Sequence, residues 1–296
     1  MRTLTPRKEK REYTFVYHLL SLPAVLLSGI VILVPAVQTI YAAFTKWNGI
    51  GAKTWIGLQN FTELFNDWIF WKAVGNNFKW TVIFLTVPVC IAMLAAVLMA
   101  RFRVGHKTFQ TMYLIPYLLA PTTNAVIWLN IIFSPNAGLV GFMQSLGWNI
   151  TSPQSKMGTA LIGVAAVDIW HYWGFLTVVF LAALRQTPVD QLESAKIEGA
   201  SGVQTFRYIY LPNILPTVLM MLVFITIYSF MTYDYIYLLT SGGPAHATEV
   251  LSTYARSLAF SAFKFGKAAA VSLVMGVFGS IAAFFYTWFS RKESLA

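Results

Sequence analysis

Asp168, Trp170, His171 and Trp173 stand together in the run "DIWHYWGF", inside an otherwise apolar stretch. A carboxylate and an imidazole three residues apart share one face of a helix. Such groups inside a membrane usually face a cavity or a partner. Flanking indoles beside hydrogen-bonding groups suit a sugar, whose C–H faces are apolar and whose rim is hydroxylated. Two other chemistries stay open: Asp168 and His171 can bind each other or a neighbouring helix, or relay a proton or ion. A second polar set lies in "IYSFMTYDYIYLL", with Ser229, Thr232 and Asp234 among tyrosines. At the helical rise per residue, Asp168 sits about 15 Å and Asp234 about 9 Å from the outer end of its span. Asp234 can act as a gate or reach up to water.

Catalytic chemistry finds no support. The single cysteine, Cys90, lies in an apolar run, and the four histidines match no metal spacing. No nucleophile-elbow motif occurs. "FGKAAA", residues 265–270, has the Gly-Lys of a phosphate loop but neither its earlier glycine nor its following Ser/Thr. The chain therefore carries no cofactor site, and any ATP must be handled elsewhere.

The elements that position these residues follow from composition. Of 296 residues, 57% are hydrophobic and 11% charged, against roughly 25% charged in soluble domains. Six runs reach the ~20 apolar residues that a span needs: about 18–44, 78–100, 108–133, 158–184, 213–240 and 267–289. The expectation is an all-α, polytopic membrane bundle of six transmembrane helices forming one domain, with the first helix uncleaved. Pro116 and Pro121 can unwind the third span where backbone lines a cavity, and Asn124 and Asn130 are expected to bond between helices. With the N-terminus inside, thirteen of the 21 basic residues fall on cytoplasmic segments. Both termini, including segment 1–17, then lie in the cytoplasm. The net charge of +10 follows topology; the basic residues form no stripe for nucleic acid.

This places the polar segment 185–212, with "TPVDQLESAKIEGASGVQTFRYIYLP", in the cytoplasm between the fourth and fifth spans. Thr187 fits an N-cap with Pro188 at the first helical position and Asp190 completing a capping box. Leu192, Ala195 and Gly199 share a face. Gly199 and Gly202 can end that helix, and 203–210 can form another. A connector on the inner leaflet would carry a basic polar face. Here Asp190, Glu193 and Glu198 balance Arg185, Lys196 and Arg207, which suits docking to protein better than lying on lipid.

The segment resembles the "EAA" loop of permease subunits of binding-protein-dependent ABC importers: E-A-A, three residues, G, nine residues, I-x-L-P. Glu193, Ala195, Gly199, Ile209, Leu211 and Pro212 stand at that spacing, with Ala200 as a further family position. Ser194 replaces an alanine, and Glu198 stands where aspartate is usual. Longer stretches, among them "TMYLIPYLLAPTTNAVIWLN" and "LLTSGGPAHATEV", are similar to sugar permeases of the maltose and glycerol-3-phosphate uptake class; TSGGP resembles the first member of the paired permeases. The resemblance implies a heterodimer with a second permease, two ATPase subunits that bind ATP-Mg, an extracytoplasmic solute-binding protein, and a bacterial or archaeal cytoplasmic membrane. It makes residues 193–200 with Leu211 and Pro212 the ATPase-coupling element. It sets Tyr117, Thr122, Ser229 and Thr232 toward the substrate beside Asp168, Trp170, His171, Trp173 and Asp234. The expected cargo is a sugar, oligosaccharide or sugar derivative. An ion-coupled secondary transporter and an importer of another solute are the alternatives.

Overall fold

The computed structural model describes residues 20–101, 106–136 and 138–293. Segment 1–17, and His18 at the expected start of the first span, lie outside that set. Six apolar passages run in order: Leu20–Ala43, Trp68–Ala100, the bent pair Thr108–Leu118 and Pro121–Ile132, Ala160–Leu184, Gly202–Met231 and Phe265–Phe285. Short helices join them, and the strands among the described residues are the antiparallel pair Thr45–Lys46 and Thr54–Trp55. The second and fourth spans form the central pair. The fifth packs on both, and the sixth carries the first on its outer side. Trp80 and Phe84 stack at 5.0 Å in a core completed by Leu176, Phe180, Ile214 and Ile225.

Lipid tails are as apolar as leucine, so burial alone does not hold these helices together. Close approach does. A Cβ on Gly174 would sit 1.8 Å from the Tyr113 carbonyl oxygen of the third span, and one on Gly266 would sit 1.9 Å from that of Thr45. Each glycine lets two backbones touch and so recovers dispersion that a side chain would prevent.

Buried amides add direction. Asn60 donates to the carbonyls of Ala43 and Thr45 at 2.8 and 2.9 Å. Asn76 donates to those of Ala247 and Glu249 at 3.0 and 2.8 Å. Asn77 donates to the Ser229 carbonyl and accepts from the Leu251 N–H, both at 2.9 Å. Asn124 makes the interhelical bond expected of it, donating to the Tyr235 hydroxyl at 2.7 Å. Asn130 does not: it is exposed and donates to Val126 of its own helix at 2.9 Å, because its face points out of the bundle.

Two spans are broken. Ala120, ahead of Pro121, is forced to an extended conformation (φ −58°, ψ 141°), and the two halves of the third span meet at 96°. The fifth span starts and stops earlier than its apolar pattern suggests. It runs as helix from Gly202, straight through Pro212 and Pro216, to Met231. Pro212 is accommodated because a π-turn, Phe206–Tyr210, precedes it and lengthens the hydrogen-bonded ring there. At the far end Thr232 turns extended (ψ 133°), and its freed carbonyl accepts the Ser252 hydroxyl before a short helix, Asp234–Thr240, begins.

The loop that follows is held tightly. Gly242 lies at φ +87°, and a Cβ there would meet the Glu249 carboxylate at 2.6 Å. Glu249 in turn accepts from Thr253 at 2.7 Å and pairs with His246 at 2.8 Å. Beside it, Asp67 receives the Tyr254 hydroxyl and the Ile69 N–H, with Lys267 3.6 Å away. Burial pushes the Asp67 carboxyl up, but these donors and the Lys267 charge outweigh it and hold it below its usual value. A depressed folded-state pKa contributes stability that is present above the ordinary carboxylate range near 4 and is lost as pH falls through the lower folded value. Melting of wild type and Asp67→Asn in detergent should therefore differ most at neutral pH, with the gap closing below about pH 4. A gap independent of pH would show that the charge plays no part.

Candidate functional site

Two places collect the residues singled out above. The first is the end of the bundle that carries the helix Val189–Ile197. The helix starts one residue later than its capping pattern suggests. Pro188, extended at ψ 131°, takes the cap position, and the Thr187 hydroxyl is buried with no hydrogen-bond partner. Its end is better defined. Gly199 at φ +73° donates to Lys196 at 3.2 Å while Ala200 donates to Ala195 at 2.9 Å. This is the Schellman pair of bonds, which needs a left-handed residue after the helix. Ser201 and Gln204 then form a reciprocal capping box for the next helix.

Ala195 is the buried contact of this segment, and Leu211 and Ala200 are half-buried. Glu193, Ser194, Glu198, Gly199 and Pro212 are exposed. Ile197 and Val203, at 86% and 77% exposure, form an apolar tip on either side of the Gly199 turn. A groove of about 1020 Å³ opens between the short helix and the start of the fifth span, lined by Asp190, Ser194, Glu198, Tyr208 and Pro212. Sequence reasoning missed the strut that fixes this groove: Asn213 donates to Gln191 at 2.8 Å, tying the short helix to the long one. A polar residue one place after the motif proline was the available signal.

The second place is a cavity of about 610 Å³ among the third, fourth and fifth spans. Tyr117, His171 and Asp234 line it, with Tyr172, Phe175 and Tyr228. Its wall is layered aromatic: Tyr117 stacks on Phe175 at 4.7 Å, and Tyr172 on Tyr228 at 5.7 Å with rings 2° from parallel. Asp168 is wholly buried behind this wall and reached by the Tyr228 hydroxyl at 3.4 Å. The Nδ1 of His171 is buried without a hydrogen-bond partner.

The other residues marked from the sequence sit elsewhere. Trp170 packs edge-on against Trp128 at 5.7 Å, and Trp173 packs on Tyr113 at 4.8 Å, so both indoles meet the third span. Ser229 is fully buried and returns its hydroxyl to Ile225 at 2.7 Å. Thr232 is buried at the helix break and Thr122 is exposed. The helical face that carries His171 also carries Phe175, one turn on, and Tyr172 lies beside it; that spacing could have picked out the aromatics in place of the tryptophans. Among the described residues no group of three or more His, Cys, Asp or Glu could hold a metal ion.

Residues 13–294 match the model of the family described as binding-protein-dependent transport system inner membrane component. A probable ABC transporter permease protein of Pyrococcus horikoshii is 30% identical over 284 residues, covering 92% of this chain and 94% of its own. The sn-glycerol-3-phosphate transport system permease protein UgpA of Agrobacterium fabrum is 30% identical over 266 residues, 88% of this chain and 89% of its own. A crystal structure of a bacterial ABC transporter that imports the acidic polysaccharide alginate superposes with a TM-score of 0.84 at 23% identity, over 97% of this chain and 99% of that one.

Gly199 offers a clean test of the turn, since nothing lies within 4 Å of its Cβ position and the cost of a side chain is purely conformational. Gly199→Val should lower stability by about 1–2 kcal/mol, while Gly199→Asn should stay within about 1 kcal/mol of wild type. Thermal unfolding of the purified protein distinguishes the two, and equal effects would argue against the left-handed requirement.

Proposed function

This chain belongs to the family of binding-protein-dependent transport system inner membrane components and is an ABC importer permease, a transport subunit rather than an enzyme; on that premise we propose that it forms half of a translocation path for a sugar, oligosaccharide or sugar derivative. The observation that carries this reading is a continuous connection between the two places described above. The helix Gly202–Met231 begins at the exposed Gly199 turn and, about 33 and 39 Å further on at 1.5 Å per residue, delivers Phe224 and Tyr228 to the cavity. Force applied at one end reaches the cavity wall through an unbroken rod. An ion-coupled exchanger has no need of such a handle.

In this reading the Val189–Ile197 helix is the coupling element, docked on one of two partner ATPase subunits that bind ATP-Mg. Glu193, Ser194 and Glu198 face the partner, and the Ile197 and Val203 tip enters it. An exposed apolar tip rimmed by charge is the composition of a docking site. Both termini lie on that side, the cytoplasm. The TSGGP end faces outward toward a solute-binding protein, and a second, similar permease completes the path. The stacked aromatic wall suits the apolar faces of a sugar, while Asp234 and His171 take its hydroxyls. The relative named for sn-glycerol-3-phosphate and the fold neighbour named for alginate both handle polyhydroxylated solutes.

Reconstituted with its partners, Glu193→Lys should keep basal ATP hydrolysis and insertion but lose about ten-fold or more of uptake, since a charge reversal in a docked interface costs a few kcal/mol. Unchanged uptake would remove the docking role. Tyr117→Ala should raise the half-saturating sugar concentration about ten-fold through the loss of one aromatic face. Trp170→Ala should act on thermal stability and leave that concentration near wild type; the reverse pattern would move the wall to the indoles.

A further inference from the structure

We infer that the cavity wall supplied by this chain discriminates by charge, accepting neutral sugars, favouring amino sugars and rejecting uronates and sugar phosphates; this rests on the sugar reading above. The lining contains one formal charge, the Asp234 carboxylate, and no lysine or arginine. Arg256 stacks over the Tyr237 ring at 4.1 Å and does not line the cavity.

A second observation marks the same volume as a ligand site. His171 is nine-tenths buried, lines the cavity, and leaves its Nδ1 without a hydrogen-bond partner. Buried polar atoms in folded proteins are almost always satisfied, and a sugar hydroxyl entering the cavity would satisfy this one. The aromatic rings then fix the sugar's plane, His171 takes one hydroxyl, and Asp234 is left to choose the substituent. An ammonium there forms a charge-assisted hydrogen bond. A carboxylate or phosphate there would be an uncompensated anion taken out of water beside a like charge, which is strongly disfavoured. Asp234 is thus a specificity-determining residue.

The test uses the assembled, nucleotide-free transporter and three radiolabelled disaccharides of one linkage: cellobiose, its diamino analogue and its uronate. Equilibrium dialysis should show the diamino form binding about ten-fold or more tighter than the uronate, with cellobiose between. Asp234→Asn should shrink that ratio by about five-fold, because it removes the charge that selects the substituent. Asp234→Ser serves as the second variant should Asp234→Asn assemble poorly. Uronate binding as tightly as the diamino form, or a ratio that neither variant moves, overturns the charge inference while the sugar reading stands. If none of the three binds to a complex that still hydrolyses ATP, the sugar reading falls and this inference falls with it.

Discussion

Inside a hydrocarbon slab a polar backbone group has no water to turn to, so every interruption of a helix must find its partner within the protein. The bundle is organised around the places where this demand is met. The Thr232 carbonyl, released by the break after Met231, is taken by Ser252. The carbonyls of Ala247 and Glu249, in a loop with little regular structure, are taken by Asn76, and the Leu251 amide by Asn77. These bonds permit irregular backbone to lie against apolar helices, and irregular backbone is what opens space for a solute.

The same demand explains why the cavity lies where it does. The third span breaks at Ala120 and the fifth at Thr232, and residues next to both breaks, Tyr117 and Asp234, line the cavity between them. The fourth span, the most buried of the five continuous spans, passes between the breaks intact and supplies His171, Tyr172 and Phe175. Gly174, on this same stretch, brings it within backbone contact of Tyr113. A close-packed seam on one side of the fourth span and an aromatic cavity on the other come from neighbouring residues because successive helical positions point about 100° apart.

Much of this was legible in the sequence. Length and hydropathy give six spans, the prolines give the broken third span, and the E-x-A-x-x-x-G spacing gives the exposed helix with its left-handed turn. The marked residues that do not line the cavity share a physical reason. Trp170 and Trp173 read as a sugar wall because aromatic faces beside hydrogen-bonding groups suit a sugar's apolar C–H faces, yet they pack on Trp128 and Tyr113. Which neighbour a helical face meets is a tertiary fact that periodicity does not carry. The family pattern sets Ser229 and Thr232 toward the substrate, but a hydroxyl in lipid is satisfied most simply by its own helix, as Ser229 shows. The three clamping asparagines went unnoticed because an amide's partner in the folded chain lies more than 150 residues away in two of the three cases.

Asn76 and Asn77 are adjacent, and between them they grip three separate parts of the chain: the loop at Ala247 and Glu249, the start of Leu251–Arg256, and the last turn of the fifth span at Ser229. The upper second span, that loop and the upper fifth span are thereby pinned into one block. A transporter that rocks between two openings cannot flex within such a block without orphaning several buried donors at once, so the bending must be displaced to where no comparable staple exists. Two neighbouring side chains thus decide the location of the pivot, and an insertion or deletion of one residue in the second span would swing both amides away from their targets together.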